Sequence, residues 1–156
     1  MVLKLHALAH ALHKLGIPFL PSLFTAFNRI AFATSVPAST SLGRGVTLSY
    51  QGLGTVLHAR AVIGNNVYVG PNVTVGGRSG LYDVPVIEDD CYIGTGARIL
   101  GPVRVGRGAV VGANAVVIHD VPSGTVVVGI PAKVVKPSSE VGRQTLQQRD
   151  HDTDAI

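Results

Sequence analysis

The sequence predicts a β-solenoid, in which short strands and tight turns wind into one continuous coil behind two short helices. Three observations carry that prediction. Leu57, Ile63, Val69, Val75, Ile87, Ile93, Ile99, Val105, Val111 and Val117 all fall in phase on a six-residue repeat. The fifth position of the unit is small or β-branched, as at Ala61, Val67, Val73, Cys91, Ala97, Val103, Ala109 and Ala115. The second position is Gly64, Gly70, Gly76, Gly94, Gly106 and Gly112. A period of six matches neither the 3.6 of a helix nor the 2 of a plain strand. It matches one short strand and one turn per unit, with three units closing a triangular coil of ~18 residues. The position-one aliphatics then point into the prism, and an ordinary β-sandwich does not account for so long a phase.

Ahead of the repeat, residues 2–15 read as an amphipathic helix with Leu5, Leu8, Leu12 and Leu15 on one face and His6, His10 and His13 on the other. Gly16 and Pro18 end it. A second helix is expected from Ser22 to Phe32, with Pro21 just outside it and Phe24, Phe27 and Ile30 on its apolar side. "SVPASTS" reads as a linker. The expected divisions are a helical segment 1–33, a β-helix 34–136 and a flexible polar tail 137–156.

The 156 residues suffice for one domain with a real core. The net charge of +4 is modest, and no block of Lys or Arg points to nucleic acid. The single Cys91 excludes an internal disulfide and any Cys-based zinc site, and fits a reducing cytoplasm. The start resembles a signal peptide, but His6, His10, His13 and Lys14 interrupt its apolar region, so it is expected to be retained. No carboxylate or Cys accompanies the His stripe, so no metal is expected there. A solvated face, a peripheral membrane contact and another subunit are the alternatives.

The stretches "VIGNNVYVGPNVTVGG" and "IGTGARILGPVRVGRGAVVGANAVVIHDVPSGTVVVGIPAKVV" resemble the hexapeptide-repeat acyltransferases, and among them serine acetyltransferases and their short relatives in polysaccharide biosynthesis. The resemblance covers about residues 34–136. It implies a left-handed parallel β-helix, a homotrimer, and acetyl-CoA bound between neighbouring subunits. It implies an O-acetyltransferase of a small-molecule or sugar hydroxyl, with a non-catalytic scaffold as the alternative.

Acetyl transfer to a hydroxyl needs a base, a donor for the oxyanion and a thioester held beside the acceptor. In serine acetyltransferases the base resembles the His of an Asp-His-Ala-Thr-Gly stretch. Aligned through Gly54, that stretch falls here on "SYQGLG", with Tyr50 or Gln51 at the His. The family's second His falls on Val84 and its serine-binding Arg on Asp83. These departures favour a sugar or another non-serine alcohol as acceptor. His58, in a slot that is Gly in most units, is the remaining candidate base; a corner residue of no chemical role is the alternative. By the same resemblance, Thr95 and Ala113 meet pantetheine through their amides. The Gly76–Gly77 turn offers an oxyanion donor, and Lys133 and Lys136 are candidates for the CoA phosphates. "GRSGLYDVP" reads as an extruded loop or as one more coil segment. As a loop, it brings Arg78, Tyr82 or Asp83 to the acceptor, or sets Asp83 to orient His58. Without extrusion, His58 stacks over Gly76, Gly94 and Gly112, above the column of Gly77, Thr95 and Ala113.

Overall fold

The computed structural model describes residues 1–140. The repeat winds into a parallel β-helix with three faces. The first face pairs Ser41–Leu42, Val62–Ile63, Val86–Ile87 and Arg104–Val105. The second pairs Thr47–Leu48, Tyr68–Val69, Tyr92–Ile93, Val110–Val111 and Thr125–Val128. The third pairs Val56–Leu57, Thr74–Gly76, Arg98–Leu100 and Val116–Val117. All of these pairings are parallel. The last strand, Lys133–Pro137, turns back antiparallel along Thr125–Val128.

The ten position-one aliphatics are each at most 1% exposed. Each stacks on the residue one coil away, so the interior is a set of aliphatic columns with small residues between them at the corners. Burial of these columns is the main favourable contribution to the fold.

The glycines of the second position have a local cause, and it explains His58. A Cβ on Gly64, Gly70 or Gly94 would lie 2.5–2.8 Å from atoms of the next coil, mostly its backbone. Those positions turn the chain from the first face to the second, or from the second to the third. At the remaining edge, between the third and first faces, a Cβ on Gly76 would meet only side chains, at 3.6 and 3.7 Å. That edge has room, and His58, Leu100 and Ile118 occupy it.

Residues 77–85 leave the prism as a loop between Gly76 and Val86. Leu57 stacks on Val75, but Val75 stacks on Ile99, one unit further along than an uninterrupted coil requires. His58 therefore lies over Gly76, Leu100 and Ile118. The column through Gly94 and Gly112, and with it the one through Gly77, Thr95 and Ala113, does not form beneath it.

The helices are α1 (Val2–Lys14) and α2 (Leu20–Phe32). Pro21 lies inside the first turn of α2, not outside it, because a first-turn N–H has no partner to lose. The burial of α1 departs from the expected one at His6, Leu8 and Leu15, while His13 is exposed and Leu5 and Leu12 are half-buried. Val2 enters the prism core, and Gln51 Oε1 accepts the Met1 ammonium at 2.6 Å and the Val2 N–H at 3.2 Å. With its start so fixed, α1 turns His6 and Ala9 inward, while Leu8 and Leu15 face outward. His6 stacks on His10, whose Nδ1 donates to the Ala38 carbonyl at 2.7 Å. The expected linker joins the first coil: Ser35 bridges Val56, and Val36 is buried. The expected tail begins with an ordered turn, Ser138–Glu140, in which Ser138 is buried; residues 141–156 lie outside the described residues.

Candidate functional site

The edge between the third and first faces gathers the chemistry. His58 ends the strand Val56–Leu57, Arg60 follows in the turn, and the loop 77–85 leaves the prism one coil along. The loop folds back over the first face and is pinned there. The Arg60 guanidinium donates to the Tyr82 carbonyl and lies 3.8 Å from the centre of the Tyr82 ring. The stem of Arg78 is laid over Gly101, where a Cβ would meet it at 2.5 Å. Between loop and face lies a groove of about 460 Å³, lined by Arg60, Tyr82, Asp83, Val86, Arg104 and Asp120 among others.

The charges of this groove are not equivalent. Arg104 is paired with Glu88 at 2.8 Å, and that hydrogen bond holds the Glu88 carboxyl below its ordinary range. Asp120 accepts the Arg104 backbone N–H at 2.7 Å. Arg60 and Asp83 carry no ion pair among the described residues. The groove thus presents the Arg60 guanidinium and the carboxylates of Asp83 and Asp120, of which Asp120 is already engaged by a backbone N–H.

His58 is half-buried. Its Nδ1 accepts the Arg60 backbone N–H at 3.1 Å. A neutral imidazole that accepts on one nitrogen carries its proton on the other. Nε2 therefore carries the proton of the neutral ring in this arrangement. The ring must release the Arg60 amide to act as a base. Among the described residues no hydrogen bond joins Asp83 to His58, whose Nδ1 is taken by the Arg60 backbone N–H.

The other candidates are distributed. Gly76 and Gly77 share the His58 edge. Thr95 and Ala113 stand exposed at the edge between the second and third faces, across the width of a face from His58. Lys133 and Lys136 project from the exposed closing strand. Thr95 and Ala113 thus lie on a different edge from Gly76 and Gly77. Tyr50 and Gln51, aligned with the missing base, lie in a turn at φ 50° and 55°, where Gln51 caps α1. Cys91 is buried, and burial pushes its thiol up to about 11. Among the described residues, no group of three or more His, Cys, Asp and Glu could hold a metal, and no helix is long and apolar enough to cross a membrane. The reading of the sequence missed Arg60: its partner Tyr82 lies 22 residues away, and only the loop's return makes them neighbours.

This architecture is shared with proteins of known name. The bacterial transferase hexapeptide family (six repeats) matches residues 85–119. The serine acetyltransferase of Bacillus subtilis (strain 168) is 38% identical over 147 residues, covering 93% of this chain and 67% of that protein. The serine acetyltransferase of Brucella abortus strain S19, solved in complex with coenzyme A, superposes with a TM-score of 0.83 at 31% identity over 86% of this chain and 54% of that one. The soybean serine acetyltransferase complexed with serine gives 0.80 at 36% identity, over 86% of this chain and 56% of that one. The fold is thus that of a hexapeptide-repeat transferase. Within that class, the chain belongs to the serine acetyltransferase family, whose members are acyl-CoA-dependent O-acetyltransferases. It spans about two-thirds of the Bacillus relative and little more than half of the two solved chains. These relatives are named for serine as their acceptor.

Proposed function

We propose that this chain transfers the acetyl group of acetyl-CoA to the hydroxyl of serine, as a homotrimer. The observation that carries the reading is the groove at Arg60, two residues after His58, where the Arg60 guanidinium and the Asp83 carboxylate make no ion pair among the described residues. That pair of charges suits a zwitterion. The serine carboxylate meets Arg60, its ammonium meets Asp83, Tyr82 walls the groove, and the hydroxyl turns toward His58. Arg78 fixes the root of the loop.

In the proposed reaction His58 gives up the Arg60 amide and accepts the serine hydroxyl proton at a ring nitrogen. The serine oxygen attacks the thioester carbon, and a backbone N–H at Gly76–Gly77 meets the oxyanion. The C–S bond then breaks, and the imidazolium returns its proton to the leaving thiolate. Thr95 and Ala113 would hold pantetheine, and Lys133 and Lys136 the CoA phosphates. Because these residues occupy a different edge from His58, the trimer supplies them from a neighbour.

The test follows CoA thiol release with L-serine and with a panel of sugars, for the wild type, His58→Ala and His58→Gln. The expected result is serine-dependent release that falls by about 10²-fold or more in both variants. Release with sugars but not serine overturns the acceptor. A glutamine keeps an N–H donor and cannot take a proton, so full activity in His58→Gln with loss in His58→Ala overturns the base and leaves His58 a donor.

A further inference from the structure

The helix α2 wears its apolar side outward. Pro21 and Asn28 are its buried residues, whereas Leu23 is 62%, Phe27 51% and Ile30 88% exposed. At 100° per residue, Leu23, Ala26, Phe27 and Ile30 fall within about 100° of one another. Phe19 and Leu20 extend this ridge at the helix start, and Leu8 and Leu15 of α1 are exposed as well. A ridge this apolar on a surface marks something that covers it.

Charge narrows the choice of occupant. No Asp or Glu occurs before Asp83, while Lys4, Lys14, Arg29, Arg44, Arg60 and Arg78 precede it. Lys4, Lys14 and Arg29 are exposed on the helices and make no ion pair among the described residues. Lys14 precedes Leu15, and Arg29 precedes Ile30, so each cation stands next to an outward apolar side chain. Two copies meeting ridge to ridge would bring these cations together with no acidic group of the segment to offset them. A surface of anionic headgroups offsets them, and it accepts Leu, Ile and Phe at its boundary with the acyl chains.

We propose that the ridge of Leu23, Phe27 and Ile30, with Phe19 and Leu20, docks the protein onto the interfacial layer of an anionic lipid membrane. The helix lies in the plane of that layer, Lys14 and Arg29 reach the headgroups along their apolar stems, and the β-helix stands off in water.

Co-sedimentation of the full chain with vesicles tests this, using phosphatidylcholine alone and phosphatidylcholine mixed with phosphatidylglycerol. Binding is expected at least about tenfold stronger to the mixed vesicles, and weaker as salt rises. The triple variant Leu23→Ser/Phe27→Ser/Ile30→Ser is expected to lose at least about tenfold of that binding. Lys14→Gln/Arg29→Gln is expected to lose binding to the mixed vesicles only. Circular dichroism and vesicle-free acetyl transfer check that the variants fold, and if the triple variant does not, Ile30→Ser alone carries the test. Three results overturn the proposal: no sedimentation with either vesicle, equal sedimentation of wild type and ridge variants, or a ridge-dependent fall in oligomer mass without lipid, which makes a second copy the occupant. Vesicle binding is read without substrate, so it stands or falls separately from the acetyl transfer.

Discussion

Arg60 and Tyr82 form the clasp of the loop, with the guanidinium 3.8 Å from the ring centre and a hydrogen bond to the Tyr82 carbonyl beside it. The same residue's backbone N–H holds the His58 ring at 3.1 Å. Loop position and imidazole orientation thus share one residue.

Replacing the Arg60 side chain should act on the loop, because the backbone N–H that holds His58 is kept in every variant. Arg60→Ala is expected to lower kcat/KM for serine by at least about tenfold, chiefly through KM, while stability moves by less than about 1 kcal/mol because an exposed cation–π contact contributes little to folding. Arg60→Lys is not expected to restore it, since an ammonium does not stack flat on a ring or donate in two directions from one plane. An unchanged KM for serine in Arg60→Ala would show that the guanidinium neither holds the loop nor meets the acceptor.

Two glycines of the same repeat position should behave oppositely. A Cβ on Gly94 would lie 2.7 Å from the Ala113 nitrogen, which is backbone and cannot give way cheaply. Gly94→Ala is expected to destabilise by about 1–3 kcal/mol. Gly76→Ala, with neighbours at 3.6 and 3.7 Å, is expected to stay within about 0.5 kcal/mol. Denaturant midpoints of the two variants decide it, and equal losses would refute the open-edge account of His58.

Acid should loosen the helical cap. Burial, followed by the nearby His10, lowers the pKa of His6 from its ordinary 6.5. Below that value the unfolded chain takes up a proton at His6 that the folded chain refuses, so the unfolded state binds more protons and stability falls with falling pH. The loss levels off once the pH is under the folded value. Urea midpoints measured from about pH 7.5 to pH 5 should fall in the wild type and fall less in His6→Leu; parallel curves would refute it.

Cys91 should be inert in the folded protein. Its thiol is pushed up to about 11 and is buried beside the Gly106 carbonyl at 3.2 Å. Since the thiolate is the reactive form, labelling by a disulfide reagent at neutral pH should be slow until denaturant is added. Rapid labelling of the native protein would mean that this corner opens.

The prism was legible because its period is written many times over: Leu57 through Val117 keep one phase, and one misread unit would not erase it. The direction of the helices was not. Amphipathicity tells that a helix has two faces, not which one the body covers. The histidines of α1 looked outward by chemistry, but Val2 in the core and the Gln51 cap fix the start of the helix and turn His6 inward. His58 was visible as an exception to glycine, and the loop as a cluster of Gly, Asp and Pro. What could not be read was their register, because a single extruded unit moves Thr95 and Ala113 from beneath His58 to another edge. Arg60 gave no signal in the sequence, since its role arises from a backbone amide and a ring brought back by that loop.

The reversal of the closing strand has a consequence for assembly. A parallel β-helix is open-ended: each coil is a template for the next, and any chain that could add one would prolong the rod. Lys133–Pro137 runs against the direction of the second face, so the last described strand of that face offers a newcomer the wrong polarity and a charged rim. At the opposite end, α1 inserts Val2 into the first coil. Stoppered at both ends, the solenoid keeps a fixed length and is kept from growing into filaments, which leaves its flanks as the surfaces through which copies can meet.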